Sequence, residues 1–143
     1  MDKIIGIDPD VKSSGVAIYY DGKLQVLELV PLYDLMQRLD LRMYSHVALS
    51  AGWLNKVANF HNRAVSAEIR ERISERVGAN HEIGKQIYKF CIEREIPCTL
   101  IRPRGKKVKA EPFNRFTGWG KASNQEVRDA AMCIYSLINK TSK

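Results

Sequence analysis

A short apolar run that ends on an acid and a proline, Ile4-Ile5-Gly6-Ile7-Asp8-Pro9, constrains the whole chain. A run of this kind suits a strand buried on both faces. Asp8 falls where the strand leaves the core, so its carboxylate can reach solvent while its backbone stays fixed in a sheet. Pro9 has no N–H to give and ends the regular pairing. Ser13, Ser14 and Gly15 are small enough for the backbone to turn closely around whatever Asp8 holds, and 14–20 reads as the returning strand. An acid that closes a strand before a turn is also common in its own right, so Asp8 alone identifies no chemistry.

Asp21-Gly22 is a strong two-residue hairpin signal, and a third strand follows over 23–30. Pro31 can begin a helix, with Leu32, Leu35, Met36 and Leu39 on one side at helical spacing. Residues 46–50 read as a fourth strand. A loop over 51–60 carries Trp53, Asn55, Lys56, Asn59 and Phe60. Residues 63–77 predict an exposed amphipathic helix ended by Gly78, and 80–95 a second helix with Ile83, Ile87, Phe90 and Cys91 on one face. After Pro97 a fifth strand covers 98–101, then a basic loop 102–109, one helical turn over 111–116, and a last helix over 123–139. The expected fold is α/β: a five-stranded mixed sheet, three antiparallel strands then two parallel, flanked by helices. The length fits one domain, 1–140, with a disordered tail at 141–143.

No apolar run approaches the roughly eighteen residues of a membrane span, and no signal-peptide pattern opens the chain, which suggests the cytoplasm. Cys91, Cys98 and Cys133 show no CxxC spacing and fit reduced, packed thiols better than a zinc site. His46, His61 and His81 are scattered. The net charge of +7 favours a polyanionic partner, because neutralising phosphates releases counterions.

The last helix holds a second strong signal. Glu126 and Asp129 are neighbours on one face, at the edge of a stripe of Val127, Ala130, Ala131, Ile134 and Ile138. Ser123-x-x-Glu126 also matches a capping box, which would account for Glu126 without chemistry. Asp129 has no such account, since Asp is a weak helix former. Arg102, Arg104, Lys106, Lys107 and Lys109 form the densest basic patch, readable equally as phosphate contacts or as a solvated loop. Trp53, Phe60, Phe113, Phe116 and Trp119 lie beside basic or amide residues and can stack on unpaired bases or anchor loops to the core.

Gly6-Ile7-Asp8-Pro9-Asp10 with Ser14-Gly15, and Glu126-Val127-Arg128-Asp129-Ala130-Ala131, together resemble the ribonuclease H-like superfamily and most of all its RuvC-type Holliday-junction resolvases of bacteria and phages. The resemblance spans nearly the whole chain. It implies a metal-dependent endonuclease that nicks branched DNA such as four-way junctions by phosphodiester hydrolysis. Asp8, Glu126 and Asp129 would hold two Mg²⁺ or Mn²⁺ ions, and the product would carry a 5′-phosphate. It implies a homodimer, whose face we place on the helices over 63–95. The basic loop, with Trp53, Asn55 and Lys56, would face DNA. A register using Asp129 and Met132 instead would lose an acid.

Two departures stand out. Asp10 replaces the usual Gly and reads as a supporting acid or a solvated loop residue. Ser50 stands where the family carries a Glu at the end of the fourth strand, and a neutral hydroxyl is a poor magnesium ligand. The second reading is therefore a non-catalytic relative that binds DNA junctions. An actin-like ATPase shares the opening hairpin, but the chain lacks the residues for a second lobe.

Overall fold

The computed structural model describes residues 2–55, 66–103 and 105–141, with side chains to 139. Strands β1 (Ile4–Asp8), β2 (Ser14–Tyr20) and β3 (Lys23–Val30) form an antiparallel meander. The tight turn at Asp21 and Gly22 puts both residues at positive φ, as a hairpin of this kind needs. Helix α1 (Leu32–Asp40) leads to β4 (His46–Ser50), which lies parallel to β1, and β5 (Cys98–Ile101) lies parallel to β4. The sheet order is β3-β2-β1-β4-β5, the mixed sheet that the strand pattern predicts.

Strand periodicity sorts side chains onto two faces. Ile5, Ile7, Val16, Ile18, Val47 and Leu49 point one way and pack with Leu35 and Leu39 of α1 and with Ile87 and Cys91 of α2 (Ala67–Glu93). Gly6, Gly15, Ala17 and Ala48 point the other way, under α4 (Gln125–Thr141). That second face is built from small residues, and the helix comes down almost to the sheet backbone. A Cβ on Gly6 would lie 2.1 Å from the carbonyl oxygen of Ala130, and one on Gly15 would lie 2.3 Å from that of Glu126. These contacts register the helix on the sheet residue by residue. Gly6→Ala is expected to cost about 3 kcal/mol, because the obstruction is backbone and cannot rotate away. The urea midpoint measures it.

Three sequence-level expectations are corrected. The helices over 63–77 and 80–95 are one continuous α2 of 27 residues, capped by Ser66, whose Oγ accepts from Ile69 N at 3.3 Å. Gly78 does not end it. A glycine inside a helix costs only about 1 kcal/mol, less than the backbone hydrogen bonds an interruption would release. The turn expected over 111–116 is a longer helix, α3 (Ala110–Thr117), closed by Gly118 in the left-handed region at φ 79°. The cap of α4 is Asn124 rather than Ser123: Asn124 Oδ1 accepts from Val127 N at 3.0 Å. Val127, third after that cap, has no carboxylate, so no capping box forms and Glu126 is not accounted for by one. Helix α4 spans Gln125–Thr141. Among the described residues no helix is long and apolar enough to cross a membrane.

Candidate active site

Asp8 ends β1, and its sheet neighbour on β2 is Gly15, the residue on which the Glu126 backbone rests. This stacking brings the first turn of α4 over the end of β1. On the other side β4 runs parallel with Leu49 paired to Ile7, so Ser50 ends its strand next to Asp8 and faces α4 as Asp8 does. The sheet and one helix thus gather Asp8, Ser50, Glu126 and Asp129 from three distant parts of the chain.

The proximity has an electrostatic consequence. The Asp8 carboxyl is pushed up to about 7, first by burial and next by the neighbouring Asp129 charge; Lys107 opposes the shift, and Glu126 and Asp10 add to it. Two or more carboxylates at one strand end repel each other's ionisation unless a cation joins them. Lys107 is that cation here. Its Nζ donates to Asp129 Oδ2 at 2.6 Å, while Gln125 Nε2 donates to Asp129 Oδ1 at 2.8 Å. Burial disfavours the Lys107 ammonium, but the hydrogen bond and the charges of Asp129, Asp8 and Glu126 outweigh it, so Lys107 holds its proton more firmly than an ordinary lysine.

These groups line an open cleft of about 830 Å³. Arg102, Lys106 and Lys107 enter it from the loop after β5, and Trp53 enters from the short 3₁₀ turn Gly52–Leu54 after β4. Trp53 and Pro9 both cover the bare backbone of Gly84, and the Trp53 ring meets His81 edge to face at 6.4 Å. Lys109, exposed at the cap of α3, does not line the cleft. Asn55 donates from Nδ2 to the Pro103 carbonyl at 3.1 Å, tying the rim together rather than facing the cleft. Lys56 and Arg104 lie outside the described residues, as do Asn59, Phe60 and His61. Of the other aromatic residues, Phe113 is fully buried, and Phe116 packs on Tyr135.

Sequence reasoning missed one wall of the cleft. Arg76, Asn80 and His81 of α2 face the acids across it. Their spacing puts them on one side of a single helix, a signal lost once the helix is divided at Gly78. Burial and the nearby Lys85 charge lower the His81 pKa, so its ring is neutral at pH 7. Asp10 is explained as well. Its Oδ1 accepts from Lys12 N at 2.9 Å, and its Oδ2 meets Asn80 Nδ2 at 3.4 Å and the Arg76 guanidinium at 3.8 Å. Val11 N donates to Asn80 Oδ1 at 3.0 Å. Asp10 therefore fastens the β1–β2 loop to α2.

The donor set fits a hard divalent cation in kind: carboxylate oxygens, crowded enough that the Asp129 and Glu126 charges help raise the Asp8 pKa. It does not fit a pair of ions. Ser50 is buried beside Cys133, whose thiol burial and the Asp8 charge push up to about 12, so neither brings a negative charge at neutral pH. Among the described residues no three His, Cys, Asp or Glu side chains converge on one point as they stand. Lys107 supplies the positive charge at Asp129 instead.

The sheet order, the flanking helices and the acid-bearing strand end define a ribonuclease H-like fold. Among solved structures, Thermus thermophilus RuvC in complex with a Holliday-junction substrate matches it with a TM-score of 0.57 at 15% identity, over 100% of this chain and 98% of that one. A second structure of Thermus thermophilus RuvC matches at 0.48 and 15% identity, over 98% and 96%. No protein-family model matches the sequence, and no curated protein matches it.

Proposed function

We propose that the chain is a divalent-metal-dependent endonuclease that nicks branched DNA, four-way junctions among them, and works as a homodimer. The observation that carries this reading is that Asp8, Glu126 and Asp129 line one cleft at the end of β1, close enough for the charges of the last two to act on Asp8, with Arg102, Lys106 and Lys107 at its rim. Acids without the basic rim would repel a phosphodiester, and the rim without the acids would only bind one. Support also comes from the fold shared with a RuvC structure that holds a Holliday-junction substrate.

Asp8, Glu126 and Asp129 would hold one Mg²⁺ or Mn²⁺. When bound, such an ion activates water and neutralises charge on phosphate oxygens. The remaining work falls to the chain. Arg102 and Lys106 draw the backbone into the cleft and set its register. Trp53, seated on the bare backbone of Gly84, offers a flat wall on which an unpaired base can stack. The first half of α2 leaves Ile69, Ile73 and Val77 exposed at one-turn spacing, which suits a symmetric contact between two copies.

A junction-binding protein without turnover is the second reading, and the neutral Ser50 favours it. Purified protein should be incubated with a four-way junction, a flap and a linear duplex in Mg²⁺ or Mn²⁺. The nuclease reading expects nicks in branched DNA with 5′-phosphate ends, abolished by EDTA. Tight junction binding with no nick in either metal would replace it with the second reading.

A further inference from the structure

Lys107 has a side chain that is 63% exposed, yet its backbone and its partner acid are both held in place. The next residue, Val108, is held by α4: its carbonyl accepts from Gln125 Nε2 at 3.3 Å and from Arg128 Nε at 3.1 Å. Arg128 is itself anchored, donating from its Nη1 to the Ser123 carbonyl at 2.7 Å and to Ser123 Oγ at 3.0 Å. Gln125 also holds the other oxygen of Asp129. The first turn of α4 thus fixes both partners, the basic loop and the carboxylate, and delivers an ammonium onto the acid cluster.

We propose that Lys107 is the built-in counter-ion of this site, occupying the cation's place on Asp129 until a divalent ion displaces it. This rests on the metal-dependent reading above and adds a coupling to it. A displaced Lys107 is tethered through Val108 and cannot leave the cleft, so its freed ammonium becomes available to a DNA phosphate. Metal entry then strengthens DNA binding, and by linkage DNA strengthens metal binding by the same factor. Ser50 makes the device more consequential. With no carboxylate at position 50, one lysine offsets a larger share of the cluster's charge.

Mn²⁺ titration of the DNA-free full chain by calorimetry tests this without reference to activity. Lys107→Met should bind Mn²⁺ about tenfold more tightly than the parent. Lys107→Arg, which keeps the charge, should stay within about threefold. Lys106→Met, which removes a cleft charge that no ion pair ties to the acids, should change affinity less than about twofold. Melting curves confirm that each variant is folded, with the Arg variant as the conservative check. Equal Mn²⁺ affinity in the parent and Lys107→Met overturns the counter-ion role and leaves the metal-dependent reading standing. An equal gain in Lys106→Met also overturns it, since a diffuse field would then suffice. Failure of every variant to bind Mn²⁺ overturns both.

Discussion

Asp8→Asn is expected to abolish metal-dependent nicking and, in the same protein, to raise the melting temperature of the metal-free chain at pH 8. The two effects have one cause. Asp8 sits among acids under a helix, and its carboxyl is pushed up from 3.8 to about 7. The folded chain therefore binds the proton more tightly than the unfolded chain does. Stability owed to the protonated form is complete below about pH 4, drains away as pH rises toward 7, and is gone above it. The penalty carried at pH 8 is on the order of 4 kcal/mol at most, and less if water reaches the cleft. Asparagine keeps the shape and drops the charge. The melting temperature should rise by roughly 5 °C at pH 8 and be nearly unchanged at pH 4. Nicking should fall by about 10³-fold or more, since a ligand of the reacting centre is lost. Added Mn²⁺ should stabilise the parent and leave Asp8→Asn unmoved. A melting temperature that drops equally at both pH values would mean that Asp8 is not crowded by its neighbours.

Ser50→Glu should move both quantities the opposite way. Position 50 ends β4 beside Asp8 and on the same face, so the new carboxylate joins the cluster rather than the solvent. Without metal at pH 8 the extra buried charge should destabilise the chain by about 1–3 kcal/mol, and Cys133, which lies beside Ser50, must give way. With Mn²⁺ the loss should reverse, because the added charge acquires a partner. Nicking of a four-way junction should rise at least about tenfold if the missing acid limits turnover. A variant that binds Mn²⁺ more tightly yet nicks no faster would count against catalysis as the role of this site.

The sheet and the acids were legible because they rest on local signals in chain order. Period-two apolar runs, the Asp21-Gly22 turn and paired acids on the last helix each carry their meaning within a few residues. What could not be read depends on weak local preferences or on distant partners. Gly78 looks like a stop, but the helix runs through it, because one glycine costs less than breaking the ladder. Ser123 and Asn124 are both good caps, and only the backbone path decides for Asn124. The pairing of Lys107 with Asp129 depends on Arg128 and Gln125 gripping Val108, a link between segments that composition does not reveal. Seen in sequence, Lys107 is one of several equivalent basic residues. In the fold it is paired with Asp129. The role of Asp10 likewise needs Asn80, which lies 70 positions away.

The measurement that bears most directly on the central claim is an anomalous difference map from crystals of the full chain grown with Mn²⁺. The account predicts a peak at the end of β1, bound by carboxylate oxygens of Asp8 and of Glu126 or Asp129, with the Lys107 ammonium drawn off Asp129. A map with no peak at Asp8, or with Lys107 still seated on Asp129 beside a fully occupied ion, would contradict it.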